Sequence, residues 1–352
     1  MIYEYKVAAI VGAVAFILGV ILFKIFIPLL RKVKLGQKIL EIGPSWHKAK
    51  EGTPNLGGLI FITAMLVAFV VGIILIPKET DVLFQGEVGG LSNVLLLLGY
   101  ALSQAIIGFI DDYVKLFKKR NKGLSSTQKL VLQFLTTGIY LFVRARYFLA
   151  DTSFWTPWGS IELGIFYYVI MLLAIVYIVN CANLTDGIDG LAGSIAFIIC
   201  TMLSIISLEY FKFGLPNPHT ALALLSLAIL GALLAFLVFN FHPAKIFMGD
   251  TGSLFLGAII VGFVMYYGME FVLIPISCIW IIEGVSVVLQ VLSFKLTGKR
   301  IFKMAPIHHH FEKCGWSEVK IVAVFSAITV VFSVISYYII HTHFWTYTHF
   351  WA

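Results

Sequence analysis

Residues 166–207 read FYYVIMLLAIVYIV, then NCANLTDGIDGL, then AGSIAFIICTMLSIIS. The first block (166–179) and the third (192–207) are apolar over most of the ~20 residues that a helix needs to cross a bilayer. Between them, 180–191 carries two asparagines and two aspartates where two membrane helices meet. Asp186 and Asp189 are three residues apart, which on a helix start puts both carboxylates on nearly one face. Gly187 and Gly190 leave room for an approach to the backbone. One Asn, Thr or Asp suffices to cap a helix. Four polar side chains between Asn183 and Asp189 exceed that need and favour a ligand site.

The pattern repeats along the whole chain. Of its 352 residues 60% are hydrophobic and 12% charged, and the mean hydropathy is +0.97. This is an all-α, polytopic integral membrane protein, with no stretch left over for a long soluble domain. Apolar runs place about ten spans near 7–30, 56–77, 91–110, 128–144, 163–180, 190–208, 220–239, 252–270, 271–293 and 319–341. The first is too long for a signal peptide and is expected to be retained. The fourth is short and ends at Arg144 and Arg146. Cysteines 181, 200, 278 and 314 lack disulfide or zinc spacing and read as free thiols.

The net charge of +7 could indicate a nucleic-acid partner, but its distribution argues for topology instead. Loops following odd-numbered spans hold 19 of the 25 Lys and Arg residues. The positive-inside rule makes that face cytoplasmic and both termini extracytoplasmic. Five of the seven aspartates, Asp111, Asp112, Asp186, Asp189 and Asp250, lie on the same face, as do His308–His310. The expected arrangement is one transmembrane catalytic domain, 1–352, with its active-site loops near 31–55, 111–127, 181–189, 240–251 and 294–318. Carboxylates at the mouths of alternate helices, amid basic loops, suit Mg²⁺ and a phosphorylated substrate.

Each motif also has a plainer explanation. GTPNLGG (52–58), just after His47, Lys48 and Lys50, could cradle phosphate through backbone N–H groups, or simply join a loop to a helix. Asp111-Asp112-Tyr-Val-Lys115 closes the third span, where adjacent acids run against the helix dipole and mark function over a solvated end. In NFHPAKIFMGDTG (240–252), Phe247 could stack on a base and Asp250 could bind a metal; the same residues make an ordinary turn and cap. Three consecutive histidines point in different directions, so all three cannot easily ligate one ion. Glu283 interrupts the ninth span with Gln290 two turns on, as a structural pair or as substrate contacts.

Together DDYVK (111–115), NLTDGIDGL (183–191), MGDTGS (248–253) and PIHHHFEKCGW (306–316) resemble the phospho-N-acetylmuramoyl-pentapeptide transferases. The aspartate motifs belong to the wider superfamily of polyprenyl-phosphate hexosamine-1-phosphate transferases, and the histidine stretch to the muramoyl-pentapeptide branch. The chain departs from the pattern at Asn55-Leu56, where Thr-Met is expected. The resemblance implies a ten-helix homodimer in the bacterial cytoplasmic membrane. It also implies transfer of phospho-MurNAc-pentapeptide from its UDP carrier to undecaprenyl phosphate, with release of UMP. Asp250 is then the Mg²⁺ ligand, and Asp111 and Asp112 sit near the acceptor phosphate, either serving as base. A phosphate monoester, with a second pKa of about 6, is already largely dianionic and needs little base. A two-step route through an aspartyl phosphate stays open. By the same likeness, Lys48, Asp189, Asn240 and Phe247 hold the uridine, and Thr53, Asn180, Asn183 and Asp186 line the adjoining pocket. Gln290, His308 and His309 lie near the sugar or phosphates, His308 with a catalytic part, and Lys115 and Lys129 contact phosphate. The alternatives are a sister GlcNAc-1-phosphate transferase and a cation-coupled transporter.

Overall fold

The computed structural model describes residues 2–33, 50, 52–76, 90–117, 123–148, 152–212 and 220–350. The helices run α1 (Ile2–Lys32), α2 (Gly57–Leu75), α3 (Leu91–Phe117), α4 (Ser126–Tyr147), α5 (Ile165–Thr185), α6 (Leu191–Lys212), α7 (Thr220–Asn240) and α8 (Gly249–Tyr266). A 3-10 turn (Glu270–Val272) and α9 (Leu273–Ile276) lead into α10 (Cys278–Thr297), α11 (Ile307–Lys313) and α12 (Glu318–Phe350).

Nine of these helices are long and apolar enough to cross a membrane among the described residues: α1, α2, α3, α5, α6, α7, α8, α10 and α12. The chain is a multi-pass membrane protein. The central pole is α8, with 83% of its span buried inside the protein against 28% for α1 and α10. α3, α5 and α2 pack directly on it, while α1, α6 and α7 form a second group behind α2. Close backbone approach replaces apolar area as the packing device, since lipid is as apolar as the side chains. A Cβ at Gly58 would overlap the backbone of Gly252, and one at Gly108 would overlap the Asp250 carbonyl.

The expected fourth span coincides with α4, which is not among the nine helices apolar enough to cross a membrane. Its start is fixed by a reciprocal cap between Ser125 and Gln128. Its polar side chains point into the bundle: Thr136 and Thr137 meet Gln104 (2.9 Å) and Tyr100 (3.1 Å) on α3, and Gln133 meets Asn180 (2.9 Å) on α5. At one end Lys129 reaches Asp250, the second residue of α8 (2.9 Å). At the other, buried Arg144 donates to the Met265 carbonyl near the end of α8. Between these two ties α4 packs on α3 and α5, and its 22 residues at ~1.5 Å each give about 33 Å. Around Arg144, Glu270 lies 3.8 Å away and accepts from the Tyr167 hydroxyl (2.7 Å), so that end is tied by a buried ionic knot.

The stretch expected to be one span at 271–293 begins with the 3-10 turn and α9, and its long helix starts only at Cys278. A feature absent from the sequence reading is a two-stranded antiparallel hairpin between α4 and α5, Ser153–Thr156 paired with Gly159–Glu162 in the register Thr156↔Gly159. Trp158 at its tip is exposed and stands edge-on to Phe271. The four cysteines are free thiols.

Candidate active site

The head of α8 is where the polar side chains converge. Its first N–H groups need partners outside the helix, and two carboxylates from other helices supply them. Asp112 of α3, 1% exposed, accepts from Asp250 N (3.2 Å), Thr251 N (2.9 Å), the Thr251 hydroxyl (2.7 Å) and Asn55 Nδ2 (3.3 Å). Asp186, in the turn after α5, accepts from the N–H of Gly249. Both oxygens of Asp112 are thus spent on holding the helix that carries Asp250. Its neighbour Asp111 accepts from Leu124 N (2.6 Å) and lies 2.5 Å from Lys115 Nζ.

Asp250 projects from this gripped helix end. Its Oδ2 lies 2.9 Å from Lys129 Nζ and 3.2 Å from Lys115 Nζ, and its Oδ1 accepts from Asn183 Nδ2 (3.0 Å). Asn183 also accepts from Lys129 (3.0 Å) and donates to Ser253 (2.8 Å), locking the group. Four carboxylates therefore face two ammonium groups, a surplus of negative charge. Burial first, and then the charges of Asp250 and Asp112, push the Asp186 carboxyl up to about 7.

Asp186 and Asp189 do not share a face. Residues 186–190 form a turn, α6 begins only at Leu191, and the two side chains enter different clusters. Asp189 contacts Lys50 Nζ (2.7 Å), His242 Nδ1 (3.1 Å) and Ala244 N (2.9 Å). Glu318, at the start of α12, shares Lys50 (2.7 Å) and accepts from Asp189 N (2.9 Å). Asp189, His242 and Glu318 have the donor types and spacing for a metal ion. The Lys50 ammonium already sits against both carboxylates and offsets one of their two negative charges.

Other expected substrate residues are engaged with protein. Asn240 accepts from Gly190 N (3.1 Å) and donates to the Ile246 carbonyl (2.9 Å), pinning the 186–190 turn to the 240–247 loop. Gln290 pins the 301–302 backbone through both ends of its amide, at 2.9–3.1 Å. Asn180 bonds Gln133 and its own helix at Val176 (2.8 Å). His308 is fully buried, and His309 Nδ1 lies 2.6 Å from Glu312. Phe247 and Thr53 remain partly exposed. The glycine stretch is a junction and no open cradle, because the N–H groups of Gly57 and Gly58 go to the carbonyls of Phe247 and Met248 (2.8 Å each). Lys48 lies outside the described residues; Lys50, two positions on, is the lysine that meets Asp189. In the sequence Lys50 stands out only as a neighbour of the glycine stretch, and Glu318, His242 and Gln133 do not stand out there. No local pattern marks those three.

The description Glycosyl transferase family 4 matches residues 94–268, which takes in α3 to α8 and every aspartate above. A Clostridium perfringens (strain 13 / Type A) protein is 45% identical over 326 residues, covering 92% of this chain and 96% of its own length. A Bacillus thuringiensis (strain Al Hakam) protein is 41% identical over 331 residues, covering 93% and 96%. A Bacillus cereus (strain AH187) protein gives the same figures. All three bear the name phospho-N-acetylmuramoyl-pentapeptide-transferase. With identity of this order over 92–93% of its length, the chain belongs to the phospho-N-acetylmuramoyl-pentapeptide-transferase family of membrane enzymes.

Proposed function

We propose that this transferase moves phospho-MurNAc-pentapeptide from UDP-MurNAc-pentapeptide to undecaprenyl phosphate, forming the lipid-linked sugar and UMP. The observation that carries the reading is Asp250, presented by a doubly anchored helix end between two lysines and an asparagine. A polyanionic soluble donor and a lipid-anchored acceptor can meet only at an interface, and this cluster sits at one end of the membrane-crossing α8. The basic-loop bias makes that end cytoplasmic. Ten crossings, counting α4, then put both termini on the outer face. That relatives named for the muramoyl substrate match at 41–45% identity favours it over a GlcNAc-1-phosphate donor.

The donor set fits a hard divalent cation. The surplus negative charge and the raised Asp186 carboxyl are relieved by Mg²⁺. Asp250, with Asp111 and Asp186 beside it, would hold the ion. Bound there, Mg²⁺ supplies charge neutralisation on the diphosphate and the departing UMP.

The chain's own residues do the rest by placement. Lys115 and Lys129 bring two positive charges to the reacting phosphates, Asp111 aims Lys115, and Asn183 aims both Lys129 and Asp250. An oxygen of the acceptor phosphate attacks the sugar-bearing phosphorus. The bond to the bridging oxygen breaks, and UMP leaves with the electron pair. The acceptor is already largely dianionic at neutral pH, so no residue need remove a proton. Asp112 anchors α8 and is no base. Lys50, Asp189 and the partly exposed Phe247 form the nucleoside side, with Thr53 nearby; Asn240 and Gln290 keep its loops in register. Two copies of the chain form a homodimer.

The reading is tested by mixing detergent-solubilised protein with UDP-MurNAc-pentapeptide, with and without undecaprenyl phosphate, and with Mg²⁺ or EDTA. UMP release that requires both lipid and Mg²⁺ supports it. Turnover of UDP-GlcNAc in its place would establish the sister activity, and release of no UMP from either donor would refute both.

A further inference from the structure

Glu283 of α10 and His308 of α11 are 25 residues apart and meet with both side chains fully buried. His308 Nδ1 lies 3.1 Å from Glu283 Oε2, and the His308 backbone N–H points to the same oxygen at 3.4 Å. The ring contact is short but bent away from hydrogen-bond alignment. Glu283 Oε1 and His308 Nε2 have no hydrogen-bond partner among the described residues. Unpaired buried polar atoms are costly and call for a reason. Nε2 abuts Gly187, where any Cβ would land on the ring. It therefore faces the turn that separates Asp186, at the head of α8, from Asp189.

The next two histidines show how the chain sets ring protons. His309 Nδ1 lies 2.6 Å from Glu312 Oε2, an acceptor, so this nitrogen carries hydrogen. His310 Nδ1 receives the N–H of Lys303 at 3.1 Å, so that nitrogen is bare. At His308 the atom facing Nδ1 is again a carboxylate oxygen. A carboxylate at one imidazole nitrogen fixes the tautomer and determines what the other can do.

We propose that Glu283 is a positioning residue that keeps the proton of His308 on Nδ1, so that Nε2 is offered as a hydrogen-bond acceptor at the Asp186–Gly187 turn. The group it accepts is a hydroxyl or amide N–H of the sugar portion of the donor. This rests on the transferase reading above. The loosely aligned contact is the resting arrangement, and the donor completes it by giving Nε2 a partner.

The test uses the full-length protein labelled with ¹⁵N-histidine, with the His308 signals identified by their loss in His308→Gln. The expected spectrum has hydrogen on Nδ1 and a bare Nε2, a signature that Glu283→Gln abolishes. Glu283→Gln is expected to raise the donor KM roughly tenfold, the scale of one buried hydrogen bond left unmade. The kcat stays within about twofold, and Glu283→Gln has no further effect in the His308→Gln background. Hydrogen on Nε2 in the unsubstituted protein overturns the proposal. So does a Glu283→Gln enzyme with unchanged donor KM, or an effect that adds to His308→Gln. Should Glu283→Gln fail to fold, the spectrum of the unsubstituted protein decides by itself. A protein that turns over no donor refutes the transferase reading, while the spectrum still reports on Glu283 and His308.

Discussion

Replacing Asp112 with asparagine separates anchoring from chemistry. In the structure its two oxygens take the backbone N–H groups of Asp250 and Thr251, the Thr251 hydroxyl and the Asn55 amide, in a place 1% exposed to solvent. Asparagine keeps the shape but turns one acceptor into an NH₂ group, which then faces other donors. At least one buried donor is orphaned, at a cost of about 1–3 kcal/mol. The anion at the helix N-terminus is also lost, worth up to ~2 kcal/mol when partly buried. Asp112→Asn should therefore unfold about 1–5 kcal/mol more easily than the unsubstituted protein, read from unfolding of the detergent-purified protein in increasing SDS. Turnover falls as well, because Asp250 loses its fixed mount. Asp111→Asn, whose partners are one backbone N–H and a half-exposed lysine, should cost clearly less. An Asp112→Asn protein that unfolds together with the unsubstituted protein, yet is inactive, would refute the anchoring role and make Asp112 a chemical group.

Lys50→Ala should raise the donor KM roughly tenfold or more, the scale of a charged hydrogen bond, with kcat little changed; steady-state kinetics would show this, and an unaltered KM would remove Lys50 from the nucleoside side. Arg144→Met leaves Glu270 buried without its cation, so a loss of about 3–5 kcal/mol of stability is expected in the same SDS titration, without change in donor KM. The Asp186 carboxyl is raised from 3.8 to about 7, so its contribution to stability is present below pH ~4 and lost as pH rises towards 7. In EDTA, the Tm of Asp186→Asn should accordingly gain on the unsubstituted protein between pH 4 and 7 and run parallel above it. A pH-independent difference would show that the carboxyl titrates normally.

The spans, and the end of the molecule at which the carboxylates gather, were legible because both follow from composition along the chain. α4 was the least legible helix, because Gln133, Thr136 and Thr137 make it look polar until α3 and α5 are seen to satisfy them. Spacing misled at Asp186 and Asp189, since three-residue periodicity applies only if a helix has begun, and Gly190 at φ 79° delays it to Leu191. Residue type alone cannot show whether an amide faces a ligand or a loop, which is why Asn240 and Gln290 read as substrate contacts and turn out to pin backbone. Nor does the sequence tell which of two adjacent aspartates is spent on a neighbouring helix end. Lys50 and Glu318 lie 268 residues apart, and no local pattern links them.

The central claim is that Asp250, at the head of α8, is where the phosphoryl group changes carrier. The most direct measurement follows a label on the sugar phosphate of UDP-MurNAc-pentapeptide into butanol-extractable lipid, in the unsubstituted protein and in Asp250→Asn. The account predicts transfer that EDTA abolishes and Mg²⁺ restores, and a fall of at least ~100-fold in Asp250→Asn. Label reaching lipid at an undiminished rate in Asp250→Asn would contradict it.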